Sequence, residues 1–406
     1  MRVLFLSLLD FKTFGEQNIY ADLLREFIKN GHDVYCISPV ERRTGMKTHF
    51  AEHGHLLKLK IGNIQKTNIF EKGISTLMIE RQFISAIKKY FSKVKFDLIL
   101  YSTPPITFAN VIKFVKKRDG AESYLMLKDI FPQNAVDLGM MSKTGIKGFI
   151  YRYFRSKEKR LYSYSDRIGC MSRANVNYLL EHNSDLSHDR VEVCPNCIET
   201  YNMRLSDEER KEMRRKYGLP ESKKLFVYGG NLGKPQDVPF IIKCLQKCAE
   251  INDAYFVIAG SGTDRHLLER YLQEKRPAHV KLFEQLPKDE YDRMIACCDV
   301  GLIFLDHRFT IPNFPSRLLS YMQAGLPVLA CTDAVTDIKE TVVEGGFGVW
   351  CESNDADGFV NAVKSSCFEN ANLMGDLAEK YLKEHYDVSD AYKKITSFCQ
   401  SATRAS

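Results

Sequence analysis

Leu225-Phe-Val-Tyr-Gly-Gly-Asn-Leu-Gly-Lys-Pro-Gln236 begins as an apolar strand pattern and breaks into glycines and a cation. A short apolar run closed by glycine suits the centre of a parallel sheet. Gly229, Gly230 and Gly233 let the backbone approach a ligand closely, and Lys234 sets a positive charge beside them. Backbone N–H donors plus a cation are what a diphosphate requires. The spacing is neither G-x-x-x-x-G-K-[ST] nor G-x-G-x-x-G. An ordinary strand-to-helix turn has the same glycine content, so the surroundings must decide.

Those surroundings repeat the pattern. Strand-like runs recur at 254–259, 280–283, 300–305, 327–330 and 346–350, separated by helical periodicity. Upstream, runs at 3–9, 33–37, 55–61, 96–101, 124–127, 167–171 and 191–194 alternate with helical stretches in the same way. Strand–helix alternation predicts an α/β fold: two doubly wound, Rossmann-like domains facing a cleft. The expected boundaries are 1–200 for the first domain and 201–222 for a polar linker. The second domain is expected over 223–380, and 381–406 as a C-terminal helix crossing back to the first. In such sheets ligands bind beyond the carboxyl ends of the strands.

The chain has 406 residues, enough for two or three domains of ~100–200 residues. Its 44% hydrophobic and 27% charged content excludes a disordered chain, a collagen or a disulfide scaffold. No apolar run approaches the ~20 residues that span a bilayer. Residues 1–9 could mimic a signal peptide, but Asp10 follows at once without a small-residue cleavage site, so a first strand is expected. Twelve scattered cysteines read as reduced, cytosolic thiols. Cys194-Pro-Asn-Cys197 is a lone C-x-x-C, better read as buried small residues than as a zinc or redox pair.

Of the formal charge of +7, residues 143–160 carry +6: seven cations against Glu158. A single basic patch on a near-neutral chain argues against general nucleic-acid binding. Ile146, Phe149, Ile150, Tyr153 and Phe154 recur at helical spacing among those cations. The stripe is expected to pack on the first domain, with the charges on the other faces docking to an anionic membrane surface.

Other loops offer weaker signals. Ala259-Gly-Ser-Gly262 follows a strand, and Gly15-Glu-Gln-Asn18 lies between the first strand and first helix. A helix should start near Pro315 or Ser316 and stop at Gly325, with Ser316 as its N-cap and Arg317 beside it. Such a helix start can hold a phosphate, though a capped helix without ligand is commoner. Asp129 and Glu16, at carboxyl ends of first-domain strands, are the catalytic candidates; a turn residue and a helix-start acid are the plainer alternatives. His32 reads as structural, and His307 and Asp306 as outside candidates.

Together these segments resemble the family-4 glycosyltransferases of GT-B fold, close to fucosaminyltransferase-like enzymes that build O-antigen and capsule units. The resemblance spans nearly the whole chain. It rests on Gly31-His-Asp-Val34, Tyr101-Ser-Thr-Pro-Pro105, Asp129-Ile-Phe-Pro-Gln133, Ile168-Gly-Cys-Met-Ser172 and Val193-Cys-Pro-Asn196. It rests further on Gly230-Asn-Leu-Gly-Lys-Pro-Gln236 and on Phe309 to Met322.

The resemblance implies transfer of a sugar from a nucleotide diphosphate donor, UDP-linked, to a lipid-linked saccharide at the inner membrane face. The first domain would bind the acceptor and the second the donor. Gly230, Asn231 and Lys234 would meet the diphosphate, with Gly15 and Gly262 completing the donor set. The base would lie against Leu286-Pro287, and Pro315, Ser316 and Arg317 would hold the distal phosphate. Many relatives carry two glutamates eight positions apart, which here are Pro312 and Ser320. Ser320 would then give the ribose a weaker hydrogen bond, and Asp306 is a candidate substitute for the missing carboxylate. Transfer is expected to retain anomeric configuration. The sequence shows no cofactor or metal-ligand cluster, so metal-independent activity is expected. A nucleotide-sugar-binding subunit without catalysis and a nucleotide-sugar epimerase are the competing readings.

Overall fold

The computed structural model describes residues 1–64, 69–365 and 368–405. The chain divides into two compact units, Met1–Glu199 with Val388–Ser406, and Thr200–Asp387.

The first unit holds β1 (Arg2–Leu6), β2 (Asp33–Glu41), β3 (His49–Ala51), β4 (Leu56–Ile61), β5 (Leu98–Ser102), β6 (Glu122–Leu127), β7 (Arg167–Cys170) and β8 (Val191–Val193). They form one sheet in the order β3-β4-β2-β1-β5-β6-β7-β8. Among the described strands every neighbouring pair is parallel except β3 with β4. Val3, Leu4, Phe5 and Leu6 are all fully buried, because helices cover both faces of a parallel sheet. Helix Ile19–Lys29 is started by Asn18, whose side chain accepts the N–H groups of Tyr20 and Ala21. Its Leu23, Leu24 and Phe27 enter the core.

Ala391, Ile395 and Cys399 of the last helix, Val388–Ala405, join that same core. Tyr392 lies edge-on to Phe27, and its hydroxyl is 2.9 Å from His32 Nε2. His32 is thus packed inside a helix–helix contact. The crossover helix begins later than 381: helix Ala371–His385 ends in the second unit, and the chain breaks before Val388. Ser406, the end of the expected segment, lies outside the described residues.

The second unit holds β9 (Lys224–Asn231), β10 (Ala254–Ser261), β11 (Val280–Phe283), β12 (Val300–Phe304), β13 (Val328–Thr332) and β14 (Gly348–Glu352). Their order is β11-β10-β9-β12-β13-β14, parallel throughout. The direction of winding reverses between β9 and β12, which opens the crevice where doubly wound sheets take ligands.

The expected linker at 201–222 belongs to this unit. Its helix Asp207–Lys216 has a capping box between Ser206 and Glu209, three acids in the first turn and three bases in the last. Arg214 anchors it, donating to both carboxylate oxygens of Asp299 at 2.9 and 2.8 Å and to the Cys297 carbonyl at 2.8 Å. The segment docks through ion pairs rather than an apolar stripe, so its polarity disguised it as a connector.

Candidate functional site

In the second unit the loop after β9 lies beside the switch point. Gly229 donates its N–H to the Tyr321 hydroxyl at 3.2 Å, and that hydroxyl donates to Leu302 O at 3.1 Å. Tyr321 thereby ties the ends of β9 and β12 to helix Arg317–Gln323. A Cβ at Gly229 would collide with the Tyr291 ring, and one at Gly260 with the Gly230 carbonyl. Gly262 is equally closed in by the Leu232 backbone. Gly230 has φ +125°, a conformation only glycine adopts readily. The glycines here are close-packing requirements as much as ligand clearances.

Asn231 donates its side-chain amide to Gln236 Oε1 at 2.7 Å, so Gln236 braces the loop from inside. Lys234 is exposed, and no ion pair holds its ammonium among the described residues. Arg317 reaches the loop from its helix: its guanidinium carbon lies 4.5 Å from the Tyr228 ring centroid and its Nη2 is 3.6 Å from where a Gly230 Cβ would stand. Its Nη1 is buried with no hydrogen-bond partner among the described residues. Gly230, Asn231, Lys234 and Arg317 are therefore clustered at one loop, as is Gly262 through Leu232.

Ser316 stands at the helix start, but its backbone is already helical and its side chain makes no capping bond. Leu318 N–H instead reaches the Pro315 carbonyl at 3.2 Å, a tight turn that opens the helix without a cap. With seven residues this helix is short, so the charge of Arg317 outweighs any dipole. Ser320 is half-buried on the same helix. Leu286 and Pro287 join β11 to helix Lys288–Ala296. Among the described residues nothing in the protein takes the backbone N–H or C=O of Leu286, which leaves both open to a ligand.

Asp306, the candidate substitute carboxylate, is fully buried and held by Arg308: Nε donates at 2.9 Å and Nη2 at 2.5 Å. Burial pushes its pKa up, but the Arg308 hydrogen bonds outweigh that and hold it below the usual carboxylate range. It is an ion-pair partner rather than a free base. Asp237, Asp306 and His307 bring one ligand atom each within 4.8 Å of one another, the group among the described residues able to hold a metal ion. Both acids already serve the protein, since Asp237 also caps the following helix at Phe240 N–H.

In the first unit, Asp129 follows β6. Both its carboxylate oxygens accept from Asn134 Nδ2, at 2.8 and 2.9 Å. Burial raises its pKa to about 6, against the pull of that amide. Glu16 has a different fate: its oxygens accept from Lys12 N–H at 2.8 Å and from Asn18 Nδ2 at 3.3 Å. With Gly15 bonded to Thr13 Oγ1 and Arg25 holding the Phe14 and Glu16 carbonyls, this acid shapes its own loop. No hydrogen bond or ion pair joins Glu16 to Asp129 among the described residues.

Helix Gly145–Tyr164 corrects the expected packing of the apolar stripe. Ile146 is 86% exposed, Phe149 69%, Ile150 48% and Tyr153 42%. The helix buries Gly148, Glu158, Leu161 and Tyr162 instead, so its second half docks while its first half projects the stripe outward. Phe154 alone of the stripe turns in, its ring 5.1 Å from that of Phe131. Two of the seven cations are internal: Arg155 pairs with Glu158 at 2.6 Å and Lys157 with Glu80 at 3.6 Å. Lys143, Lys147, Arg152, Lys159 and Arg160 stay exposed.

Tyr291, Tyr321 and Gln236 escaped the sequence reading. Aromatic residues on apolar helix faces look like core, and only the fold shows their hydroxyls or rings against the glycine loop. No disulfide joins the described cysteines, and all of them, Cys194 and Cys197 included, are buried.

Residues 209–385, nearly all of the second unit, match the family model "Glycosyl transferases group 1". The chain is 23% identical over 340 residues to a probable glycosyltransferase, WbjE of Pseudomonas aeruginosa, covering 83% of this chain and 82% of that one. It is 22% identical over 275 residues to WcaI of Escherichia coli K12, assigned as a colanic acid biosynthesis glycosyl transferase, covering 66% of each. Among solved structures, Anabaena HepE in complex with UDP-glucose superposes with a TM-score of 0.68 at 14% identity, over 99% of this chain and 100% of that one. The fold is thus the two-domain α/β arrangement of parallel sheets found in GT-B structures, and most of the second unit is similar to the group 1 glycosyl transferases.

Proposed function

We propose that the protein transfers a sugar, an N-acetylated amino or deoxy sugar, from a UDP-linked donor to a lipid-linked saccharide in surface polysaccharide synthesis. The observation that carries this reading is the clustering of Gly230, Lys234 and the unpartnered Arg317 Nη1 at the switch point of a unit matching group 1 glycosyl transferases. The names of WbjE and WcaI and the UDP-glucose in HepE support the donor class and the biosynthetic setting.

In the reaction the bond from the sugar's anomeric carbon to the diphosphate oxygen breaks. A bond forms to an acceptor hydroxyl, whose proton passes to a base, and the nucleoside diphosphate leaves with the negative charge. Lys234, Arg317 and loop N–H groups would neutralise that leaving group. Asp129, with a pKa near neutrality, suits the proton acceptor; Glu16 is the weaker candidate because its oxygens already bind the loop. With proline and serine at 312 and 320, Ser320 is the remaining ribose contact, and retention of configuration is the expected outcome.

The exposed ridge of helix Gly145–Tyr164 supports peripheral attachment at the inner face of the membrane. Cations interleaved with apolar and aromatic side chains match an anionic headgroup layer. Arg152 lies 4.5 Å from the Phe149 ring centroid, a pairing that keeps charge and ring together at such an interface. No described helix is long and apolar enough to cross a membrane.

The deciding experiment incubates the protein with labelled UDP-sugars, with and without lipid-linked acceptor. Product only with acceptor supports transfer. Conversion without acceptor would point to an epimerase, and binding with no conversion to a non-catalytic subunit.

A further inference from the structure

Lys128 is the first residue past β6, and its position is fixed. Its backbone N–H donates to Thr103 Oγ1 at 3.0 Å, that of Asp129 to the same oxygen at 3.2 Å, and the hydroxyl donates back to the Asp129 carbonyl at 3.1 Å. Thr103 is buried and follows the neighbouring strand β5, so two strand ends clamp this dipeptide.

Four described lysines of the first unit are buried or half-buried: Lys58, Lys116, Lys128 and Lys157. Three have an acid. Lys58 binds Asp10, Lys116 binds Asp166 and Lys157 binds Glu80. Lys128 has no ion pair or side-chain hydrogen bond among the described residues. The groups acting on its ammonium are the thiols of Cys194 and Cys197. Burial raises both thiols, Cys197 to about 12, so they are neutral and supply no counter-charge at neutral pH. Lys128 is half-buried, and an ammonium held at such a place without a counter-charge gains from an anionic partner that arrives from solution. Burial lowers Lys128 itself to about 8, which leaves it mostly charged at pH 7.

The place narrows the partner. Lys128 stands at the carboxyl end of a parallel strand, where open α/β sheets receive ligands, and next to Asp129. The same segment continues to Phe131, which packs on Phe154 of the helix with the exposed apolar and cationic ridge. We propose that Lys128 binds a phosphoryl oxygen of the acceptor, in the phosphate linkage that joins the saccharide to its lipid. This rests on the transferase reading above. A compact ammonium suits phosphoryl oxygens, which accept short charge-assisted hydrogen bonds.

The test measures binding of farnesyl diphosphate, with UDP saturating to block the donor loop, to the full-length wild type and to Lys128→Met, Lys128→Gln and Lys128→Arg. Expected is at least a tenfold loss in the Met and Gln variants, near-wild-type affinity in the Arg variant, unchanged UDP affinity, and melting temperatures of the Met and Gln variants no lower than that of the wild type. Farnesol and inorganic diphosphate are the control ligands, and neither should bind in a Lys128-dependent way. Equal affinity across all four proteins, no binding by the wild type, or Lys128-dependent binding of inorganic diphosphate alone each overturns the assignment. If the Met variant fails to fold, the Gln and Arg pair decides. Should UDP not bind at all, the transferase reading fails, while the farnesyl diphosphate comparison without UDP still reads Lys128.

Discussion

The guanidinium of Arg317 lies over the ring of Tyr228, 4.5 Å from its centroid, with Nη1 buried and no partner among the described residues. The stack orients the planar fork toward the backbone of Gly230. Such a group is preorganised for an anion, and lysine cannot copy its geometry.

Arg317→Ala and Lys234→Ala should each weaken UDP binding while leaving the fold intact. A lost charge-assisted hydrogen bond costs about 1.5–3 kcal/mol, roughly a 10- to 150-fold rise in Kd. Arg317→Lys should recover only part of the loss. Calorimetric titration with UDP measures all three, and wild-type affinity in both alanine variants would remove the donor site from this loop.

Gly260→Ala places a methyl group against the Gly230 carbonyl. Overpacking of this kind costs about 1–3 kcal/mol, and here the atom displaced belongs to the donor loop itself. Lower melting temperature and weaker UDP binding should appear together. A variant with wild-type values for both would mean that the loop adapts freely.

Asp129→Asn should slow transfer by 10²–10⁴-fold, with donor affinity unchanged, if Asp129 takes the acceptor proton. Wild-type turnover should rise with pH through about 6, the carboxyl's folded-state pKa. The stability sign is opposite. A carboxyl raised from 3.8 favours folding fully only below that value, and the benefit is lost as pH rises through about 6. At pH 7 the asparagine variant should therefore be more stable, by up to about 3 kcal/mol. Urea unfolding at pH 4 and pH 7 separates this from a packing effect; equal differences at both would deny the raised pKa.

Turnover should survive EDTA, because cations and backbone donors are assigned the leaving diphosphate. Complete loss in the chelator, restored by manganese or magnesium, would instead assign the metal to Asp237, Asp306 and His307.

Changing Lys143, Lys147 and Arg152 to Gln should weaken sedimentation with acidic vesicles by about 100-fold, taking ~1 kcal/mol per cation. Ile146→Ser with Phe149→Ser should weaken it further at high salt, where the apolar contribution remains. Arg155 is left out because it holds Glu158 inside the protein. Binding that ignores lipid charge would sink the docking proposal.

The strands were legible in the sequence because each buries a continuous apolar run, as in Val3–Leu6 or Leu225–Tyr228. Strand β3 was not: His49-Phe-Ala51 is three residues long, largely exposed and without alternation. The outward turn of Ile146, Phe149 and Ile150 was hidden for a different reason. Periodicity identifies an apolar face but not whether anything packs on it, and the first half of this helix leaves that face exposed. Lys128 carried no signal at all, since an unpaired charge is a property of its neighbours and those arrive from residues 194–197. The glycine loop stood out in the sequence as a backbone feature, yet its braces, Tyr291 and Tyr321, come from 62 and 92 positions beyond Gly229.

The first unit is closed by Val388–Ala405, whose Ile395 and Ala391 sit in the core laid down by the opening helix. The backbone of Val388 is hydrogen bonded to Ile198, at 3.0 Å, so the last piece joins where the unit was interrupted. On the ribosome this means the N-terminal sheet emerges first but finishes last. Residues Thr200–Asp387 can complete their own fold while Phe27 and Leu24 still lack their cover. A chain truncated at position 387 and released would hold a complete second unit and a first unit with an exposed apolar face, the species most prone to chaperone capture or proteolysis.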